Sequence, residues 1–205
     1  AREYKDKLRY SPSTDYLVYN GSFWEESKPK SQAISQELTT RQLEEVEIEI
    51  EKLMNEMVSN GTMEIIMAMG VKKAERVLSD DQRRTFKRYE DALAYRKYAI
   101  KRRDSKYITA TLKEVQPMVE IDLNDLDADE FLLNTPSYTY DLRKGMKSPI
   151  EPNPSNFITK QTSVDPDDKG MELWKDMLDL TFQKDKELIE YVQRVAGLAA
   201  IGKVY

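Results

Sequence analysis

The run EVEIEIE, Glu45–Glu51, can be read in two ways, and the choice decides the fold. Alternation of acidic and aliphatic residues is the pattern of a half-buried strand. Widening the window to Ser31–Ser59 brings in Leu43, Val46, Ile50, Leu53 and Met57, which recur at 3-4-3-4 spacing over four turns. Length and period together predict a helix. The chain is then mainly helical, and the short β-like segments elsewhere become accessories to a helical bundle.

Working outward, Asn60-Gly61 closes that helix and a second is expected over Thr62–Leu78, weakened in its middle by Gly70. Ser79 and Gln82 form a capping-box pattern, and Asp80 and Asp81 between them meet the positive end of a helix dipole, so a long helix should run from there to about Arg103. At about 100° per residue, Phe86, Tyr89, Leu93 and Ile100 collect on one side for packing, while a basic and aromatic set collects opposite. Towards the N-terminus, YLVYNGSFWE (Tyr16–Glu25) places Asn20-Gly21 between two aromatic or β-branched runs, which predicts a hairpin with a type I′ turn. Beyond Gln116-Pro117 the texture turns to Asp, Asn, Pro and short apolar runs, a loop-and-hairpin segment. Helical spacing returns with Leu173, Trp174, Met177, Leu178 and Phe182, then with Leu188, Val192, Val195 and Ala199, giving a helical hairpin broken near Gln183 whose stripe is expected in the core. The expected fold class is mainly α (α+β), a helical bundle with small β-hairpins near the N-terminus and in the 130–165 region. Its parts are a hairpin region at 1–30, a helical region at 31–115 containing the basic helix 79–103, a loop and hairpin segment at 116–168, and a helical hairpin at 169–205.

Composition narrows the chemistry. The 205 residues include neither Cys nor His. That removes disulfides, thiolate and imidazole zinc sites, cysteine nucleophiles and Ser-His-Asp catalysis, and it suits a reducing cytoplasm. The N-terminal AREYKDKLRY has no apolar segment behind its charges, and nothing approaches the roughly 20 apolar residues of a bilayer crossing, so no membrane partner is expected. The formal charge of −5 conceals segregation: Lys72–Lys106 carries 13 Lys/Arg against 6 Asp/Glu, and the rest of the chain is correspondingly acidic.

Four pieces of the C-terminal half carry a resemblance: DADEFLLNTPSYTYDLRKG (Asp127–Gly145), NFITKQTSVD (Asn156–Asp165), WKDMLDLTF from Trp174, and ELIEYVQRVAGLAAIG (Glu187–Gly202). In this order and spacing they resemble the domain that precedes the superfamily 3 helicase in phage, plasmid and poxvirus-type primase–helicases. YLVYNGSFWEES at the N-terminus is similar to the Tyr-Asp-Gly-x-x-Trp opening of that domain, whereas Ser31–Lys113 matches only in helical character. Thr135-Pro136-Ser137-Tyr138 departs from the Asn-Gly turn usual in the family. The resemblance implies a non-catalytic piece of a replication protein that ends before the phosphate-binding loop. It implies ATP and Mg²⁺ for the parent protein and no cofactor for this fragment, with DNA, single-stranded or forked, and a homo-oligomeric ring as partners. The setting it implies is the cytoplasm of a bacterial host.

Three motifs bear on chemistry. Gly197-Leu-Ala-Ala-Ile-Gly202-Lys203-Val204 nearly spells a phosphate-binding loop, but Val204 has no hydroxyl for Mg²⁺ and the first Gly follows a helix, so it reads as a helix terminus with capping glycines. Asp122, Asp125, Asp127, Asp129 and Glu130 invite a metal-dependent primase or nuclease. Glu130 stands where a calcium loop needs Gly, however, and Pro136 stands where it needs Glu, so turn-forming and capping acids are the competing reading. The constellation with functional content is the helix bearing Arg83, Arg84, Lys87, Arg88, Tyr95, Arg96, Lys97, Tyr98, Lys101, Arg102 and Arg103, with Lys106 and Tyr107 just beyond. Cations can neutralise phosphates while neighbouring aromatics stack on unpaired bases. Two blander arrangements compete with it: a solvated face with Tyr95 and Tyr98 packed on a neighbouring helix, or pairing of its cations with the acidic run Glu44–Glu51. The expected function is a pre-motor domain for assembly and DNA guidance. The alternatives are the metal-dependent enzyme and a protein-interaction module without DNA contact.

Overall fold

A computed structural model describes residues 2–147 and 149–201. Among them are seven helices and two three-stranded antiparallel sheets, so the chain is mainly α with small β elements. It divides into two compact units, one of residues up to Lys28 together with those from Gln116 onward, the other Pro29–Val115. No helix of the described residues is long and apolar enough to cross a membrane.

The discontinuous unit opens with β1 (Leu8–Ser11), β2 (Asp15–Tyr19) and β3 (Trp24–Glu26), paired in that order. The β2–β3 hairpin forms, but not with the expected type I′ turn. Tyr19 pairs with Trp24, leaving four loop residues, and the Asn20 carboxamide oxygen accepts from the N–H groups of Ser22 and Phe23 at 3.0 Å each. Gly21 alone in the loop has positive φ, 104°, whereas type I′ requires two such residues. Behind the sheet, Leu17, Trp24 and Ile121 form a core against which Tyr19, Leu126 and Phe157 pack. Trp24 is 1% exposed, and its indole N–H donates to the Pro154 carbonyl at 2.8 Å, the partner a buried indole needs.

A second sheet, β4 (Leu132–Asn134), β5 (Thr139–Asp141) and β6 (Pro149–Ile150), occupies the segment rich in turn residues. Thr135–Tyr138 makes a four-residue turn between β4 and β5, closed by Thr135 N–H donating to the Tyr138 carbonyl at 2.8 Å. Pro136 sits in this turn, where its missing N–H leaves no ladder bond unmade.

In the helical unit, α1 (Lys28–Ser59) buries Val46, Leu53 and Met57 and leaves Ile48 69% exposed. A strand over Glu45–Glu51 would place Val46, Ile48 and Ile50 on one face; the exposure of Ile48 is what a 3.6-residue period demands. The single helix expected over Thr62–Leu78 is in fact two, α2 (Thr62–Met69) and α3 (Val71–Val77), parted where Gly70 adopts φ 76°, ψ 157°. That conformation has positive φ and extended ψ and is open essentially to Gly alone. Next comes α4 (Asp80–Arg102), with both hydrogen bonds of the Ser79–Gln82 capping box present. It packs through Ala92 and Tyr89 onto Val46, Ile50 and Leu53 of α1. Thr85, Phe86, Ala92 and Ala99 are buried along α4, whereas Ile100, expected to pack, is 45% exposed. Beyond it, α5 (Ser105–Val119) runs through Pro117, past the break expected at Gln116-Pro117.

Two further helices, α6 (Met171–Thr181) and α7 (Lys186–Leu198), form the C-terminal pair, parted by Gln183 and Lys184, both at positive φ. Their apolar stripe is not core as expected. Leu178 is buried at 2% exposure and Phe182 and Val192 are half-buried, but Leu173, Trp174, Met177, Leu188 and Val195 lie open, as do Leu180 and Tyr191 beside them.

Candidate nucleic-acid interface

The sequence places every named cation and tyrosine of the basic set on α4, and the structure divides them into two groups. Those in the first half are engaged. Arg83 and Arg84 reach back one turn to Asp80 and Asp81 at 3.4 and 3.7 Å, and Lys87 reaches forward to Asp91 at 2.9 Å. Donating to the Asp91 carboxylate holds the Lys87 ammonium above its ordinary pKa. Arg88 crosses to α1, donating to Glu49 at 2.8 Å, with Glu56 at 3.9 Å. Beside it the Thr85 hydroxyl donates to Glu56 at 2.7 Å. Further along, Arg96 crosses to Glu47 at 3.2 Å. Pairing with the acidic run of α1 therefore takes Arg88 and Arg96.

The second half is arranged otherwise. Lys97, Lys101, Arg102, Arg103 and, across the turn, Lys106 make no ion pair among the described residues. The tyrosines do not pack on a neighbouring helix: Tyr95 and Tyr98 are 41% and 48% exposed, and they stack on each other with ring centres 6.0 Å apart and planes inclined by 20°. Arg102 lies with Cζ 4.6 Å from the Tyr98 ring centre and 4.9 Å from that of Tyr107 in the first turn of α5. Lys106 and Lys101 also sit over Tyr107, at 5.0 and 5.8 Å. The result is a corner built from the end of α4 and the start of α5, with stacked rings and a fringe of cations. Periodicity locates the α4 residues, but the turn Arg103–Asp104 that brings Tyr107 back under Arg102 has no sequence signal strong enough to show it.

The acidic set is dispersed among turns. Asp122 caps the short 3₁₀ turn Leu123–Asp125, accepting from Asn124 N–H at 2.8 Å. Asp127, at φ 52°, accepts from Thr159 N–H at 2.7 Å, and Asp129 accepts from Phe131 N–H at 3.2 Å and from Arg143 at 2.6 Å. Arg143 also donates to Asp141 at 2.7 Å, and this hydrogen bond holds the Asp141 carboxyl below its ordinary pKa. No three acidic side chains among the described residues gather as metal ligands. At the other end, α7 continues through Gly197 to Leu198 and is capped at Ala199, so the first glycine of the phosphate-loop-like stretch is helical and not a cap. Gly202, Lys203 and Val204 lie outside the described residues.

The sequence matches the model of the D5 N terminal like family over residues 1–183. Neither the curated proteins nor the solved structures provide a match.

Proposed function

We propose, given that this chain belongs to the D5 N terminal like family, the N-terminal domain of D5-like primase–helicase proteins, that it is a non-catalytic DNA-contacting and assembly domain working ahead of the helicase. The observation that carries the DNA part is the corner between α4 and α5, where Lys101, Arg102 and Lys106 lie over the rings of Tyr98 and Tyr107, and Lys97, Lys101, Arg102, Arg103 and Lys106 have no carboxylate partners among the described residues. Free cations bind phosphate through sequence-independent electrostatics, the kind of contact a replication protein needs along a template of any sequence. The ATP and Mg²⁺ chemistry belongs, in this reading, to the helicase. Asp122, Asp127 and Asp129 serve backbone turns, and their geometry lends no support to a primase or nuclease centre.

The test is a gel-shift or anisotropy titration of the chain with single-stranded and duplex DNA at two salt concentrations. Replacing Lys97, Lys101 and Arg103 together by Ala should weaken binding by roughly tenfold or more, each lost phosphate contact adding to the effect. Replacing Arg84 and Lys87, already paired along the helix, should change it little. Absence of binding at low salt, or equal effects from the two sets, would refute the proposal.

A second, compatible reading is favoured by α6 and α7, where Leu173, Leu180 and Tyr191 are 74%, 84% and 64% exposed on two amphipathic helices. Such a face suits a subunit contact in a homo-oligomer.

A further inference from the structure

Resting on the DNA-contacting reading above, we infer that the α4–α5 corner takes an unpaired strand by base stacking, and that duplex DNA is not its ligand. The rings discriminate where the cations cannot. Lys and Arg neutralise the phosphates of either form, but in a duplex each base face is covered by its neighbours and only edges and phosphates are offered. An unpaired base offers its π-face, and an exposed aromatic side chain is its natural partner.

The arrangement suits a strand lying along the helix. At about 100° per residue, Tyr95, Tyr98 and Arg102 fall within an arc of roughly 60°, and the strip holding Lys97 and Lys101 runs roughly 100° to one side. Bases on the tyrosine strip would place the phosphates over the lysine strip. From Tyr95 to Arg102 is roughly 10 Å along the axis at 1.5 Å per residue, about three base steps of 3.4 Å. The Tyr95 and Tyr98 rings are already near-parallel, 20° apart, with Arg102 over Tyr98, so a base added to the face of Tyr95 away from Tyr98 extends an existing stack. Arg102, shared between the rings of Tyr98 and Tyr107, ties the far end of the stack to α5.

Tyrosine hydroxyls also hydrogen-bond phosphates in duplex complexes, and the test separates the two uses. Anisotropy of labelled oligothymidine and of a duplex of equal length is measured with the 205-residue chain and its Tyr95→Ala, Tyr98→Ala, Tyr98→Phe and Tyr98→Trp variants, each checked by circular dichroism for retained helix. The strand should bind more tightly than the duplex. Tyr98→Ala should weaken strand binding by roughly tenfold and leave duplex binding almost unchanged, with Tyr98→Phe and Tyr98→Trp restoring the strand preference. Equal affinity for strand and duplex, or strand binding that survives Tyr95→Ala with Tyr98→Ala, overturns the stacking inference while leaving a DNA-contacting domain in place. Binding to neither form overturns both.

Discussion

Asp165 is held to Ser137 through both carboxylate oxygens, one accepting from the Ser137 N–H at 2.9 Å and the other from its hydroxyl at 2.8 Å. The first of these oxygens also accepts from the Thr135 hydroxyl at 2.7 Å. A carboxylate 28 residues away thus finishes a turn that lacks the usual Asn-Gly pair. These bonds, the Ser137 N–H first among them, hold the Asp165 carboxyl below its ordinary pKa of 3.8. Because the folded value is depressed, the stabilisation is complete above the unfolded-chain pKa and is lost as pH falls through the folded one. Asp165→Asn should therefore lower stability near neutrality and flatten the acid limb of the unfolding curve below about pH 4. Chemical denaturation followed across pH 2.5–7 checks this; an unchanged acid limb would show that the turn holds without Asp165.

Trp24 carries the core of the discontinuous unit. Trp24→Ala should cost about 3–5 kcal/mol by cavity formation. Trp24→Phe keeps much of the apolar surface and loses the indole hydrogen bond to the Pro154 carbonyl, which the Phe157 N–H still serves at 3.2 Å, so the cost is that of one hydrogen bond, roughly 0.5–1.5 kcal/mol. Urea denaturation gives both values, and the order Ala worse than Phe is the outcome required. Fluorescence provides a companion measurement, since Trp174 is 41% exposed: acrylamide should quench the Trp24→Phe variant far more readily than Trp174→Phe.

Ser79→Ala should destabilise the helical unit by about 0.5–2 kcal/mol, the usual cost of a lost N-cap. Gln82 does more than complete the capping box, because its side-chain N–H₂ also donates to the Asn60 carbonyl at 2.7 Å, joining the end of α1 to the start of α4. Gln82→Ala should match or exceed Ser79→Ala in the same denaturation experiment, and a smaller loss would argue that the Asn60 contact is inert.

The open face of α6 and α7 predicts association of the isolated chain. Light scattering should show a mass that rises with concentration and returns to the monomer value in Leu180→Glu and Tyr191→Glu, with helix content unchanged. A monomer at every concentration would remove the subunit-contact reading.

The helical part of the fold was legible because period is carried by many residues at once. The capping box at Ser79 and the end of α1 at Asn60-Gly61 needed only local chemistry, and they stand where expected. Turn geometry was less so. Asn20-Gly21 signals a hairpin, but the loop length depends on the register between Tyr19 and Trp24, a pairing between strands that the dipeptide does not specify. The C-terminal stripe shows the complementary limit: periodicity states which residues of α6 and α7 share a face and nothing of whether that face is covered. At the candidate site, composition and spacing located the residues, whereas their division was decided by which carboxylates of α1 come within reach, a tertiary matter.

The bridges from Arg88 to Glu49 and from Arg96 to Glu47 have a measurable consequence for binding. An arginine whose charge is already met by a protein carboxylate has little ion atmosphere to give up, so it releases few salt ions when a phosphate arrives. The dependence of affinity on salt then becomes a census of unpaired cations. For a strand confined to the corner of Lys97, Lys101, Arg102, Arg103 and Lys106, the slope of log K against log salt should be no steeper than about −3.5. Mutating Glu47, Glu49 and Glu56 to Gln should steepen it, because the charges of Arg88 and Arg96 would be returned to the pool.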